Sequence, residues 1–249
     1  MVDLRRTPSV QHAVALISDT VTDTRRNLEL LDAAKISISL NPARRLIKPL
    51  MEGFDVEWAK RMCAAERYEK NRKPNADLIE AFAPYAKDKG VAWFRPCEPD
   101  FYPIGSGVHI PIHPSGYWAQ DGKLHLLWVQ CWKGRTLTPL QKAIFNTILR
   151  QRVLVGDFKD AALEWVDLRE IHAGKGRDIE VLNGDALGTV SDADLAGYLD
   201  ILLTAFREYR AAKDLRQAEE KAEAKKQPPP APPGSLFETK PDTPDTKKP

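Results

Sequence analysis

An α/β fold is the class this sequence predicts: a core ordered as helix, three-stranded antiparallel meander, helix and strand, with helices before it and one long helix and a disordered tail after it. Three observations predict it. From Gly107 to Gly134, Val108, Ile110 and Ile112 alternate with His109, Pro111 and His113, and Leu124, Leu126 and Trp128 alternate with His125, Leu127 and Val129, the period of two that a pleated strand imposes. Between these runs Asp121-Gly122 accepts the positive φ of a two-residue hairpin, so the runs are expected to pair and to bury Val108, Ile110, Leu124 and Trp128 together. On either side of that stretch, apolar residues recur at helical spacing.

Taken in order, Ser9 is placed to cap a helix from Val10. Ala13, Val14, Leu16, Ile17, Val21, Leu28 and Leu31 form its apolar stripe to about residue 34, with a break near Thr20 to Thr24. Lys35 to Leu40, KISISL, alternates as a short strand would. Asn41-Pro42 starts a helix that Gly53 stops, since Asn caps and proline at the first helical position gives up no needed N–H. A basic helix follows from Asp55 to about Arg72. Two helices meeting at a glycine fit a helix-turn-helix, but a solvated charged face explains the pattern without a recognition helix. Asn75 to Lys89 reads as a helix with Leu78, Ile79, Phe82 and Tyr85 on one side and Pro84 as a kink or early end, followed by Gly90 and a strand, Val91 to Phe94.

After the hairpin, Thr138-Pro139 launches a helix to about Val155, with Leu140, Ile144, Ile148 and Leu149 facing inward and Lys142, Asn146 and Arg150 outward. Leu163 to Leu168 returns as a strand, and Ser191 to Asp194 is a variant capping box that opens the last helix. Leu195, Leu199, Leu202 and Phe206 bury that helix; from about Ala211 to Gln227 it is charged and alanine-rich and is expected to project into solvent. Pro228 to Pro249 holds eight of the nineteen prolines and is expected to be disordered. The units expected are therefore an N-terminal helical extension (1–74), an α/β core with its C-terminal helix (75–210), a charged helical extension (211–227) and the tail (228–249).

At 249 residues the chain can bury a sizeable core, and its net charge of +2 is too mild to argue for nucleic acid from totals. Cys63, Cys97 and Cys131 are odd in number and form no CxxC, which argues against a disulfide framework and a zinc ribbon. No apolar run approaches the roughly 18–20 residues of a membrane span, and the start of the chain lacks a signal-like apolar core, so the expectation is a cytoplasmic protein without a membrane partner. Charge is segregated locally. Lys123, Lys133, Arg135, Lys142, Arg150 and Arg152 fall between Gly122 and Gly156 without an acid, while Asp178 to Asp200 carries acids without a base.

The element order across residues 75–168 is similar to the core of the PD-(D/E)XK nuclease superfamily, most of all to its RecB-like exonuclease branch. Gly107-Val108 corresponds to that branch's glycine-led second strand, Cys131-Trp132-Lys133-Gly134 to the end of its third, and Gln141 with Phe145 to the Gln-x-x-x-aromatic spacing of the next helix. The resemblance implies a restriction-endonuclease-like core and a nucleic-acid partner. Its acids depart: the second-strand aspartate position falls on or near Pro111, and the third-strand acid position is Cys131. A metal-dependent phosphodiesterase needs at least two oxygen ligands to hold Mg²⁺, and Asp121 is the only acid from Phe101 to Gly156.

The expectation is thus a catalytically degenerate, nucleic-acid-associated protein without a cofactor, in which Lys133, Arg135, Gln141, Lys142 and Arg150 contact the phosphate backbone. The alternative is a divergent Mg²⁺-dependent nuclease whose site is Asp100, Asp121 and Lys133, with Glu80 from the preceding helix; Pro99-Asp100 and Asp121-Gly122-Lys123 satisfy the short motif. His109, His113, His125 and Cys131 share a face if the register is regular, and imidazole with thiolate is a zinc-type set, but their spacing matches no known signature and no metal is expected. Trp118 and Trp132 are the aromatic residues placed for base stacking. A further alternative is a protein-interaction scaffold acting through the long helix and tail. There, Gly234-Ser235-Leu236-Phe237 looks like the end of a sliding-clamp-binding peptide, with Pro233 where the leading glutamine would stand.

Overall fold

A computed structural model describes residues 7–34, 38–132, 136–170 and 176–226, with the backbone alone for 224–226. The first long helix divides into α1 (Val10–Leu16) and α2 (Val21–Ala33), because Thr20 caps α2 by accepting from the Asp23 N–H. The N-terminus of α3 (Asn41–Met51) finds its cap elsewhere: Asn75 Oδ1 accepts from the Ala43 N–H at 2.9 Å, while the Asn75 amide donates to Ser39 and Asn71 carbonyls. One buried asparagine therefore satisfies an N–H at the helix start that Asn41 was expected to serve. Of KISISL, residues 35–37 lie outside the described residues and 38–40 are irregular.

Asp55 caps α4 (Val56–Ala64), and α5 runs from Glu69 to Lys89. The break expected near Lys73 lies instead at Ala65–Tyr68, and α5 continues through Pro84. Pro84 and Glu80 sit on the exposed side of the helix, so the carbonyl that proline leaves without an N–H partner faces water. The opposite side buries Leu78, Ile79 and Phe82 completely, each worth about 1.5–3 kcal/mol.

The expected three-stranded meander is not what forms. β1 (Asp100–Gly105) and β2 (Val108–Ile112) make a separate two-stranded sheet, turning at Ser106-Gly107 with φ of 50° and 71°. β3 (Gly116–Gln120) pairs with β4 (Lys123–Gln130) across Asp121-Gly122, whose φ values are 51° and 75°. The turn was legible and its partner strand was not. A two-residue turn pairs Gln120 with Lys123 and so selects the residues immediately before it, whereas Val108–Ile112 lies beyond His113–Ser115. Val91–Phe94 is not a strand either; only Arg95 bridges to Tyr117. A Cβ on Gly116 would lie 2.3 Å from the Phe94 ring and 2.6 Å from the Arg95 carbonyl, so that bridge needs glycine there.

α6 (Pro139–Arg152) opens on a capping box formed by Thr138 and Gln141 and carries the chain from β4 to β5 (Ala162–Asp167), which is parallel to β4; β6 (Glu180–Asn183) closes the sheet antiparallel. The mixed sheet has the order β3-β4-β5-β6. Along β4, Leu126 and Trp128 enter a core with α1, α6 and the first turns of α7 (Asp192–Lys226), while Leu127, Val129 and Cys131 enter another with α3, α4 and α5. Residues through Arg210 make one compact unit. In the second, Ala211–Pro249, the helix continues to Lys226 with no buried side chain between Ala211 and Glu223; residues 227–249, including Leu236 and Phe237, lie outside the described residues. No helix among the described residues is long and apolar enough to cross a membrane.

Candidate functional site

β4 and β5 end side by side, with Gln130 opposite Asp167 and the Leu168 N–H donating to the Gln130 carbonyl at 2.7 Å. The carboxyl ends of parallel strands are where open α/β sheets hold ligands, because the crossover leaves a crevice there. Beyond Gln130 the chain reaches Cys131 and Trp132, which form one wall of a cavity of about 1040 Å³. The other walls come from α1, α2, residues 38–40, the first turn of α3, the Tyr68–Pro74 segment and, from beyond β5, Arg177.

The charge of that cavity is one-sided. Arg44 and Arg177 line it, and no carboxylate is among the described lining residues. Arg177 Nη1 donates to the carbonyls of Cys131 (3.2 Å) and Leu168 (2.6 Å), so it also clamps the two strand ends. Burial pushes the Cys131 thiol up, opposed by Arg44 and Arg177. His12 Nδ1 lies 2.8 Å from Ser9 Oγ, and burial, reinforced by Arg44, lowers its pKa to about 4. It is therefore a neutral imidazole at neutral pH, 5.0 Å from the Trp132 ring. Tyr68 is 55% exposed at the rim, with the Arg67 guanidinium 5.6 Å from its ring centre.

On the α6 side of the same strand ends, Asp167 is fully buried and accepts from the Thr136 hydroxyl at 2.9 Å; burial pushes its carboxyl up. Its other oxygen and both amide atoms of Gln130 have no hydrogen-bond partner among the described residues.

Lys133 and Arg135 lie outside the described residues. Gln141, expected at the phosphate backbone, is buried, completes the capping box, and donates to the carbonyls of Ala15 and Ile17. Asn146, expected on the outer face of α6, is fully buried and donates to Gly184 and Gly188, because the 3₁₀ turn Gly184–Leu187 packs over that face. The ladder of Lys142, Asn146 and Arg150 is thus interrupted; Lys142 is half-buried and Arg150 pairs with Asp185 at 2.8 Å.

The described residues of the nuclease alternative are dispersed over different elements. Asp100 begins β1 and pairs with Arg152 at 3.0 Å, Asp121 sits in the exposed β3–β4 turn, and Glu80 is exposed on α5. His109 lies on β2 of the smaller sheet and His113 just after it, whereas His125 lies on β4 and Cys131 just after that strand, so the four do not share a sheet face. No cluster of three or more His, Cys, Asp or Glu able to hold a metal occurs among the described residues. Trp118 is fully buried, stacked on His125 at 4.9 Å, and is core; Trp132 alone of the two faces the cavity.

His12, Arg44, Tyr68 and Arg177 were not singled out by the sequence. They converge from four separate segments, and none carries a local motif. Equally hidden was the cluster around buried Glu164, which accepts from Tyr85 (2.9 Å), Lys89 (2.8 Å) and His125 (2.8 Å). Burial alone would raise the Glu164 carboxyl, but these donors outweigh it and hold it below its ordinary value.

No protein-family model, curated protein or solved structure matches this chain.

Proposed function

We propose that this chain is a nucleic-acid-binding protein that holds phosphate in the cavity at the carboxyl end of β4 and does not cut it. The observation that carries the reading is the lining: Arg44 and Arg177 with no carboxylate among the described lining residues, in a crevice where the protein's low dielectric strengthens attraction for an anion. A restriction-endonuclease-like core is part of the same proposal. Its support is the β3–β4 hairpin, the α6 crossover and a β5 parallel to β4; in this version the glycine-led second strand is Gly116–Gln120. Neither β3 nor β4 carries a carboxylate, and the acid position at the end of β4 is the buried Cys131.

Titration of labelled DNA and RNA against rising salt tests this. Expected is an affinity that falls linearly in log salt, with Arg44→Ala weakening binding and reducing the salt slope by about 1. Binding indifferent to salt and to Arg44→Ala would overturn the reading, and Mg²⁺-dependent cleavage lost in Asp121→Ala would replace it with the nuclease.

A further inference from the structure

We infer, resting on the nucleic-acid reading, that the ligand is a single strand that enters the cavity past Tyr68 and Arg67, not a duplex laid across its mouth. Size is the first ground. About 1040 Å³ is the scale of a pocket for a small organic ligand, roughly 300–1,000 Å³, which suits a nucleotide or two. A duplex whose major groove alone is ~12 Å wide does not fit within it.

Chemistry is the second. Trp132 and His12 lie in the lining, with Leu30, Leu31 and Ile38 nearby, so the cavity offers flat and apolar surface as well as charge. Bases in a duplex keep their faces stacked on one another, whereas those of a single strand are free to lie on aromatic rings. His12 is neutral, so it matches the uncharged edge of a base better than a phosphate.

The third ground is the rim. Tyr68 is half-exposed, lines the cavity and has a guanidinium at its face, so a base can stack on the ring while Arg67 meets the adjoining phosphate. Both residues are exposed at the start of α5, which leaves the strand an open path into solvent.

The experiment compares fluorescein-labelled dT12 and rU12, a 12-base-pair duplex, and dTMP as competitor, for wild type, Tyr68→Ala, Arg67→Ala and Arg44→Ala, with melting curves to show that each variant folds. Expected is binding of a 12-mer at least tenfold tighter than the duplex, loss of roughly 5- to 100-fold in Tyr68→Ala, a smaller loss in Arg67→Ala, and weak competition by dTMP. Duplex binding as tight as single-strand binding, still weakened by Arg44→Ala, would overturn the single-strand inference while leaving the proposed function standing. Single-strand binding unchanged in Tyr68→Ala would overturn the rim path. Binding of none of the probes would overturn both readings.

Discussion

The Tyr85 hydroxyl donates to Glu164 Oε2 at 2.9 Å, joining the last turns of α5 to the middle of β5. Glu164 is 5% exposed, and Lys89 and His125 are its other donors. Tyr85→Phe removes one donor from a buried carboxylate and should cost about 1–3 kcal/mol, read as a lower denaturation midpoint. The sign of its pH dependence follows from the lowered Glu164 carboxyl: its contribution is present above the ordinary value of 4.5 and is lost as pH falls through the lower folded value. Glu164→Gln should therefore destabilise the protein at pH 7, with the gap to wild type closing in acid. A gap that stays constant down to pH ~3 would contradict the cluster.

His12 gives a slope of the same direction from a basic group. Its pKa falls from 6.5 to about 4 on folding, so between those values the unfolded chain binds a proton that the folded chain does not. Stability is full above 6.5 and should decline by up to ~3 kcal/mol as pH falls to about 4. His12→Asn should flatten that part of the curve, which urea titrations across pH 4 to 7 would show. The same neutral ring predicts that oligonucleotide affinity is flat between pH 6.5 and 8 as far as His12 is concerned.

Gln141 separates a structural role from a binding one. Gln141→Ala removes the reciprocal half of the α6 capping box and the donor to Ala15 and Ile17, and should cost about 1–2 kcal/mol. Because the side chain is buried, affinity for dT12 should match wild type at a temperature where the variant is folded. A selective loss of affinity would return Gln141 to the ligand site.

Gly116 tests the seat of β3. Its φ of 153° and a Cβ 2.3 Å from Phe94 make Gly116→Ala destabilising by about 2–4 kcal/mol, measured by thermal melting. Phe94→Ala in the same chain should relieve part of the clash, a coupling that a double-mutant cycle detects.

Much of the secondary structure was readable in short segments. Asp121-Gly122 announced its turn, Thr138-Pro139 its helix, and Ser191 the last helix, with Ser191 Oγ accepting from the Asp194 N–H at 3.1 Å. Each rests on a few adjacent residues whose backbone geometry or capping chemistry is intrinsic to them. The β-sheet was misread in its pairing. Val108–Ile112 and Gly116–Gln120 are both able to form strands, and alternation does not say which one β4 accepts.

The candidate site was less legible for the same reason. Trp132, expected as a stacking surface, lines the cavity, but His12, Arg44 and Tyr68 reach it from α1, α3 and the start of α5, and Arg177 from the connection between β5 and β6. Asn146 shows the converse: its helical spacing suggested an outward residue, and the turn at Gly184 covered it. Sequence by itself determined the α/β class, most helix starts and the local segregation of charge, because periodicity, caps and turns act between near neighbours. Tertiary structure decided which strands pair, which polar side chains are buried and which cations face a common cavity, because those depend on burial against residues far along the chain.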